Sequence, residues 1–427
     1  MIKNLNLNRV KKVHFIGIGG IGQSAAARLL LNEGKIVTGS DHNPSPVTDG
    51  LVKKGIKILI GQKADNITAD TDLLVYSLAV PEDNPERLQG QELNIPEVSY
   101  PELLGLISEN KKTVAVAGTH GKTTTTAMLG EVLNQLKPSV IVGSLLTKTK
   151  SNFIAGEGKW LVVEACEYKR SFLNLKPTVL VITNIEEDHL DYYKDLTDIQ
   201  SAFKQLAEKV PADGLIIAPK NNPNLKSILA TVSAPVIDYS DISIPQLQVP
   251  GRHNLLDAQA AKAVGLNLNI PESEIDKALI NFKGTWRRLE YKGQTTAGAV
   301  VYDDYAHHPT EIKMALTALK VKYPNKQLVA VFQPHLYSRT RDFMDKWSIA
   351  FEAADQVIVL PIYAAREKPL AGINSQALIK QLGVKAQLAT DFRQAKELLE
   401  NKDAQTVIAV LGAGDIFKLS EDVIIGF

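Results

Sequence analysis

The sequence predicts an α/β protein of three consecutive segments, each built on a mainly parallel sheet. Three observations predict it. Short β-rich apolar runs alternate with longer helical patterns: "VHFIGIG", "TVAVAG", "WLVVEA", "TVLVITN", "GLIIAP", "AVVYDD", "LVAVFQ", "QVIVLP" and "TVIAVLGAGD". Such alternation is the pattern of βα units. Two of these runs break into glycine-rich turns that open helices, at "GIGGIG" and "GTHGKT". Later runs break into clusters of Asp, Arg and His, at the strand ends where open parallel sheets bind ligands.

With 427 residues, the chain is long enough for two or three domains and ample core. Its 44% hydrophobic and 22% charged residues fit a folded globular protein. The formal net charge of +1, with no basic run, argues against a general nucleic-acid binder. Cys166 is the only cysteine, which excludes an internal disulfide framework and a Cys-rich metal site and fits a reducing compartment. The N-terminus lacks a secretory apolar stretch, and no apolar run reaches roughly 18 residues. A cytoplasmic protein with no membrane partner is expected.

The first segment, residues 1–110, opens with a strand and then Gly17, Gly19, Gly20 and Gly22 ahead of an Ala-rich helix. This is GxGxxG in its strand–turn–helix setting, which brings backbone N–H groups and a helix N-terminus to a diphosphate. A second strand, "KIVTGSD", ends at Asp41, where an acid meets a ribose hydroxyl. By itself the pattern suggests NAD, but it reports a diphosphate-bearing nucleotide more securely than nicotinamide. A tight turn that binds nothing is the plain alternative.

The second segment, residues 111–295, opens "TVAVAGTHGKTTTTAMLGEVL". The strand running into Gly118, Thr119, His120, Gly121, Lys122, Thr123 and Thr124 is a P-loop in context, although Val116 stands where the stricter pattern has its first glycine. Backbone N–H groups from Gly118 onward can cradle phosphates, Lys122 can reach the β- and γ-phosphates, and the Thr123 hydroxyl can ligate Mg²⁺. Glu164 ends another strand of the same segment, and "TVLVITN" leads into "IEEDHLD" with His189. A carboxylate and an imidazole there can hold a metal against the γ-phosphate. The alternative for Glu164 is a carboxylate that merely caps a strand end.

In the third segment, residues 296–427, "AVVYDDYAHHPTEI" is a strand breaking into Asp303, Asp304, Tyr305, His307 and His308. "LVAVFQPHLYSRTRDF" breaks into Gln333, His335, Arg339 and Arg341. These groups suit carboxylate and phosphate recognition. Any one of them alone reads equally well as a surface loop residue.

The motif order resembles that of the Mur ligases, ATP-dependent enzymes of peptidoglycan precursor synthesis. The resemblance spans nearly the whole chain, through "GIGGIG", "AGTHGKTTTT", "SFLNLKP", "TNIEEDHLD", "PGRHN", "RRLE", "DDYAHHPTEI", "FQPHLYSRTRDF" and "LGAGDI". It implies a Rossmann-like first domain for UDP-N-acetylmuramate, with the four glycines on the diphosphate and Ser40, Asp41 and Ser77 nearby. That displaces the NAD reading. It implies a central P-loop domain for ATP and Mg²⁺ and a Rossmann-like C-terminal domain that helps place a small L-amino acid. Lys122 and Arg288 would contact phosphates, Thr123 would carry one Mg²⁺, and Glu164 and His189 would sit at a second. Asn254 would face the adenine and Asp303 the ribose. Tyr305, His307, His335 and Arg339 would lie near the amino acid. The implied reaction joins L-alanine to the lactyl carboxylate through an acyl phosphate, in a monomer or homodimer.

Departures from the family pattern touch the choice of amino acid. Relatives that add L-alanine usually read Glu-Ala-Asp-Glu-Ser-Asp where this chain has Glu164 to Lys169, and carry arginine at Leu336. Asp257 replaces a common asparagine, and Arg366 a usual glycine. L-Serine or glycine is therefore the alternative substrate. A nucleotide-binding regulator without catalysis is the alternative of another class, which the intact Lys122, Thr123, Glu164 and His189 oppose.

Overall fold

The apolar runs become strands of three sheets in the computed structural model, which describes residues 5–365 and 367–424. Arg366 lies outside the described residues. Strands β1 (Lys12–Ile16), β2 (Ile36–Asp41), β3 (Lys57–Ile60), β4 (Leu73–Tyr76) and β5 (Glu97–Ser99) form an all-parallel sheet ordered β3-β2-β1-β4-β5. The order reverses between β1 and β4, and the glycine loop leaves β1 at that point. Open sheets of this kind bind ligands at such a reversal.

The second sheet contains β6 (Lys112–Ala117), β7 (Ser139–Ile141), β8 (Phe153–Ile154), β9 (Trp160–Glu164), β10 (Val179–Ile182), β11 (Leu215–Ile217) and β12 (Val236–Ile237). Its order is β12-β11-β10-β6-β9-β7-β8, parallel except for β8. The P-loop strand β6 thus lies between β9, which ends at Glu164, and β10, which leads to Asn184.

The third sheet contains β13 (Glu290–Gln294), β14 (Val300–Asp304), β15 (Gln327–Phe332), β16 (Gln356–Val359), β17 (Ala386–Leu388) and β18 (Thr406–Leu411). Its order is β13-β14-β18-β15-β16-β17, with β13 antiparallel to β14. Its edge strand β13 therefore precedes residue 296. Alternation along β15 sends Leu328, Ala330 and Phe332 into one core and Val329 and Val331 into the other. Both faces are buried, which is why the strand reads as a continuous apolar run. Phe332 packs against Trp347 and Phe351 at ring separations of 5.4 and 5.2 Å.

The chain forms two compact units. One comprises Met1–Ile185, Gln200–Ser243 and Gln259–Leu279 and carries the first two sheets. The other comprises Glu186–Ile199, Ile244–Ala258 and Ile280–Phe427 and carries the third. Among the described residues, no helix is long and apolar enough to cross a membrane.

Candidate active site

In the first unit, β1 ends in a turn whose amides are tied to β2. The N–H groups of Gly17 and Ile18 both donate to the Ser40 carbonyl, at 2.9 and 3.0 Å. Gly19 donates to Asp41 Oδ2 at 2.8 Å. Asp41 thus shapes the loop directly. The Ser40 side chain turns the other way: it is fully buried and donates to Glu86 Oε2 at 2.5 Å. The sequence places Ser40 beside the nucleotide; the structure gives both its hydroxyl and its carbonyl to the protein. Ser77, at the end of β4, lies against the loop, its Cβ 3.4 Å from where a Cβ on Gly17 would stand. Gly20 caps helix Ile21–Asn32 without a side-chain hydrogen bond, so the first-turn amides have no side-chain cap.

The P-loop leaves β6 at Gly118, whose φ of +142° favours glycine, and a Cβ there would run into the Thr183 hydroxyl. Asn184 fixes the loop from β10: its carbonyl accepts from Thr119 N–H at 3.1 Å and its Oδ1 from His120 N–H at 3.0 Å. Gly121 then caps helix Lys122–Val132. The Lys122 ammonium donates to the Gly118 and Thr119 carbonyls and to Glu167 at 2.9 Å. Burial alone would lower its pKa; the Glu167 carboxylate overrides this and holds Lys122 above the ordinary lysine value. The Thr123 hydroxyl donates to Glu164 Oε2 at 3.2 Å, and Gly143 N–H donates to Oε1. Thr123 and Glu164, both candidate metal ligands, are thus brought together. Sequence reasoning missed Glu167 as the partner of Lys122. Its only signal was a second acid three residues after Glu164.

A cavity of about 320 Å³ in this unit runs from Gly22 to Glu164, with Tyr100, Cys166 and Tyr168 in its wall. Of the three altered residues Cys166, Tyr168 and Lys169, the first two line it. Glu167 is buried on Lys122, and Lys169 is exposed, its ammonium 5.7 Å from the centre of the Tyr168 ring. The Cys166 thiol is solvent-accessible, yet the surrounding protein mass and then Glu167 raise its pKa. It is no thiolate nucleophile.

The second unit holds a separate polar array. Arg339, 7% exposed, donates to Asp188 Oδ1 at 2.6 Å. Burial would raise the Asp188 pKa, but Arg339 and then His189 hold it far below the usual carboxylate range. His189 sits beside this pair at φ +54°, its N–H donating to Asp188 Oδ1. Arg339 also faces His335 Nδ1 at 3.5 Å, and His335 stacks on Tyr363. His307 lies edge-on to both His335 and Tyr305. Burial, followed by Arg339, pushes the His307 pKa down to about 3. The imidazole is therefore neutral, with Nδ1–H donating to the Tyr305 carbonyl at 2.9 Å, and it is a weak proton acceptor. Arg288 lies over Tyr305, 3.8 Å from Glu311. Asn254 is buried, its amide donating to the Pro250 carbonyl at 2.6 Å; Asp257, three residues on, is also buried. Leu336 is buried as well.

Asp303 departs from its expected place. Instead of following the strand it lies inside β14, fully buried, with Arg287 Nε donating to it at 3.0 Å. Arg287 is itself 2% exposed and donates to the Gly412 and Gly414 carbonyls. The carboxylate ties strand ends together through Oδ2, while its Oδ1 is buried without a hydrogen-bond partner among the described residues. Asp304 is likewise structural, accepting from Leu289 and Ala306 N–H at 2.7 Å. Arg287→Ala should destabilise this unit by about 3–5 kcal/mol, because it strands a buried carboxylate. Thermal unfolding checks this, and a loss under about 1 kcal/mol would assign the pair no structural weight.

These features define a class: a three-sheet α/β protein with one glycine turn for a diphosphate and a P-loop for a nucleoside triphosphate. The chain belongs to the Mur ligase family. It matches the family's catalytic domain over residues 12–112, its middle domain over 116–244 and its glutamate ligase domain over 287–414. It is 42% identical to the UDP-N-acetylmuramate–L-alanine ligase of Clostridium kluyveri, covering 96% of this chain and 97% of that one. It is 41% identical to the ligase of the same name from Salinibacter ruber, covering 97% and 94%. In structure it is similar to the UDP-N-acetylmuramate–alanine ligase of Thermotoga maritima, with a TM-score of 0.80 and 29% identity over 96% of this chain and 98% of that one.

Proposed function

We infer that this chain is a UDP-N-acetylmuramate–L-alanine ligase, which uses ATP to join L-alanine to the lactyl carboxylate of UDP-N-acetylmuramate. The reaction belongs to peptidoglycan precursor synthesis and takes place in the cytoplasm, in a monomer or homodimer. Its segments are residues 1–110 for the sugar nucleotide, 111–295 for ATP and 296–427 for the amino acid. The observation that carries the reading is Lys122, Thr123 and Glu164 gathered at the end of β6 and β9, in a chain alike from end to end to ligases of that name.

The lactyl carboxylate attacks the γ-phosphorus, ADP departs, and an acyl phosphate forms. The alanine amine then attacks the acyl carbon, phosphate leaves and the nitrogen gives up a proton. Because charge gathers at the γ-phosphate, the protein's part is positioning and electrostatic stabilisation. The P-loop amides from Gly118 to Thr124 hold the phosphates. Lys122 leaves Glu167 for the β- and γ-oxygens, and Arg288 adds a second cation. Asn254 packs at the adenine. Tyr305, His307, His335 and Arg339 receive the amino acid. His307, neutral and weakly basic, orients rather than deprotonates.

The Thr123 hydroxyl and the Glu164 carboxylate, hydrogen-bonded to each other, are the hard oxygen donors that would hold Mg²⁺. When bound, Mg²⁺ neutralises charge on the phosphate oxygens.

ADP release by the purified enzyme, with UDP-N-acetylmuramate and alanine, serine or glycine in turn, tests the reading. L-Alanine should give the highest kcat/KM, since Lys169 lies outside the cavity wall and the altered stretch adds no charge there. Equal or greater kcat/KM for serine or glycine would overturn the choice of alanine. No amino-acid-dependent ADP release would overturn ligation itself.

A further inference from the structure

The turn that opens helix Ile21–Asn32 is surrounded by polar groups the protein itself does not use. Tyr100 begins helix Tyr100–Glu109, where Ser99 and Glu102 form a reciprocal cap that fixes the chain direction. Its ring lies flat against Gly22: a Cβ there would stand 2.6–2.7 Å from Cζ, Cε1 and the hydroxyl oxygen. Glycine at 22 is therefore what lets the phenol reach the first turn. Among the described residues the hydroxyl has no hydrogen-bond partner. Burial, then Glu164 and Cys166, raise the phenol's pKa, so it stays protonated and is a donor. The same cavity wall contains Gly22, Tyr100 and Glu164, placing the phenol between the glycine turn and the P-loop carboxylate.

Gln23 adds an independent sign. It is 3% exposed, and neither its amide oxygen nor its amide nitrogen has a partner. Its Cβ and Cγ lie 3.9 Å from where a Cβ on Gly20 would stand, against the same turn. Buried amides are seldom left unsatisfied, and the usual reason for an exception is a missing ligand or water. The uncapped first-turn amides of the helix and the Tyr100 hydroxyl beside Gly22 make a donor-rich recess.

We propose that Tyr100 is a substrate-binding residue whose phenol donates a hydrogen bond to the diphosphate of the sugar nucleotide at its sugar end, with Gln23 completing the donor set. The assignment rests on the sugar-nucleotide ligase reading above. The phenol faces both the turn and Glu164, so it sets how far the sugar extends toward the P-loop. It is a specificity device distinct from the glycine backbone.

Tyr100→Phe keeps the ring on Gly22 and removes only the donor. Binding of UDP-N-acetylmuramate and of UDP-N-acetylglucosamine, which lacks the lactyl arm, is measured by calorimetry without ATP, alongside steady-state kinetics. The expected result is about a tenfold or greater loss of affinity for both, the size of a hydrogen bond to a charged group. The KM for ATP and for alanine and the melting temperature should not move. Gly22→Ala, which displaces the ring, should give the same binding defect. Affinities within about twofold of wild type for Tyr100→Phe would overturn the role of Tyr100 while leaving the ligase reading intact. A loss confined to UDP-N-acetylmuramate would place the contact on the lactyl arm and overturn the diphosphate assignment. A wild-type chain that binds neither sugar nucleotide would overturn both.

Discussion

Glu164→Ala lowers turnover by roughly a hundredfold or more while the protein stays folded. The size follows from losing a metal-binding carboxylate, which contributes several kcal/mol of charge stabilisation at about 1.4 kcal/mol per tenfold. Folding is spared because the carboxylate holds no core together. It ends β9 and accepts from the Gly143 backbone N–H and the Thr123 hydroxyl. Both donors turn to water in the variant. Glu164→Gln separates charge from shape: it keeps an oxygen for Thr123 and loses the anion, so its activity should recover in part at elevated Mg²⁺. ADP release across a Mg²⁺ titration, with thermal melting alongside, makes the measurement. Near-wild-type turnover for Glu164→Ala would remove this residue from the site.

Glu167→Ala produces the second large effect, on stability and on its coupling to nucleotide. Lys122 is 16% exposed and Glu167 5%, and the ammonium is held by that carboxylate and two loop carbonyls. Removing one partner of a buried pair costs about 3–5 kcal/mol, because the other charge is left uncompensated. A triphosphate supplies the missing anion. Saturating ATP should therefore raise the melting temperature of Glu167→Ala by clearly more than that of wild type, since a ligand stabilises by its differential affinity for the folded chain. Equal increments in the two proteins would show that Glu167 does not compete with phosphate for Lys122.

The fold was legible in the sequence because the central strands of the three sheets are buried on both faces. "TVAVAG" and "LVAVFQ" need no alternation to be recognised once the following helix is seen. The P-loop and Glu164 were legible for the same reason: each follows its own strand directly, so chain order gives position. The partners were not. Glu167 meets Lys122 across 45 residues and Asp188 meets Arg339 across 151, and no spacing rule reaches that far. The adjacent arginines show a finer limit. "RRLE" singled out Arg288 for phosphate, but the positive φ of Arg287 turns that side chain into the sheet, where it takes up Asp303. Whether an aspartate at a strand end faces ligand or core is decided by one residue of register, which apolar patterning does not encode. Tyr100 escaped notice because "SYPELL" reads as an ordinary helix start.

The make-up of the second compact unit bears on how such chains can be recombined. The family's C-terminal domain is recognised over residues 287–414, yet the physical body around the third sheet also takes in 186–199 and 244–258. Asp188, the partner of Arg339, comes from the first of those stretches. A module exchanged at residue 280 would carry a nearly buried guanidinium into its new host without the carboxylate that neutralises it. The heritable cassette and the mechanical body are different objects here, and a graft respecting only the first inherits an unbalanced charge.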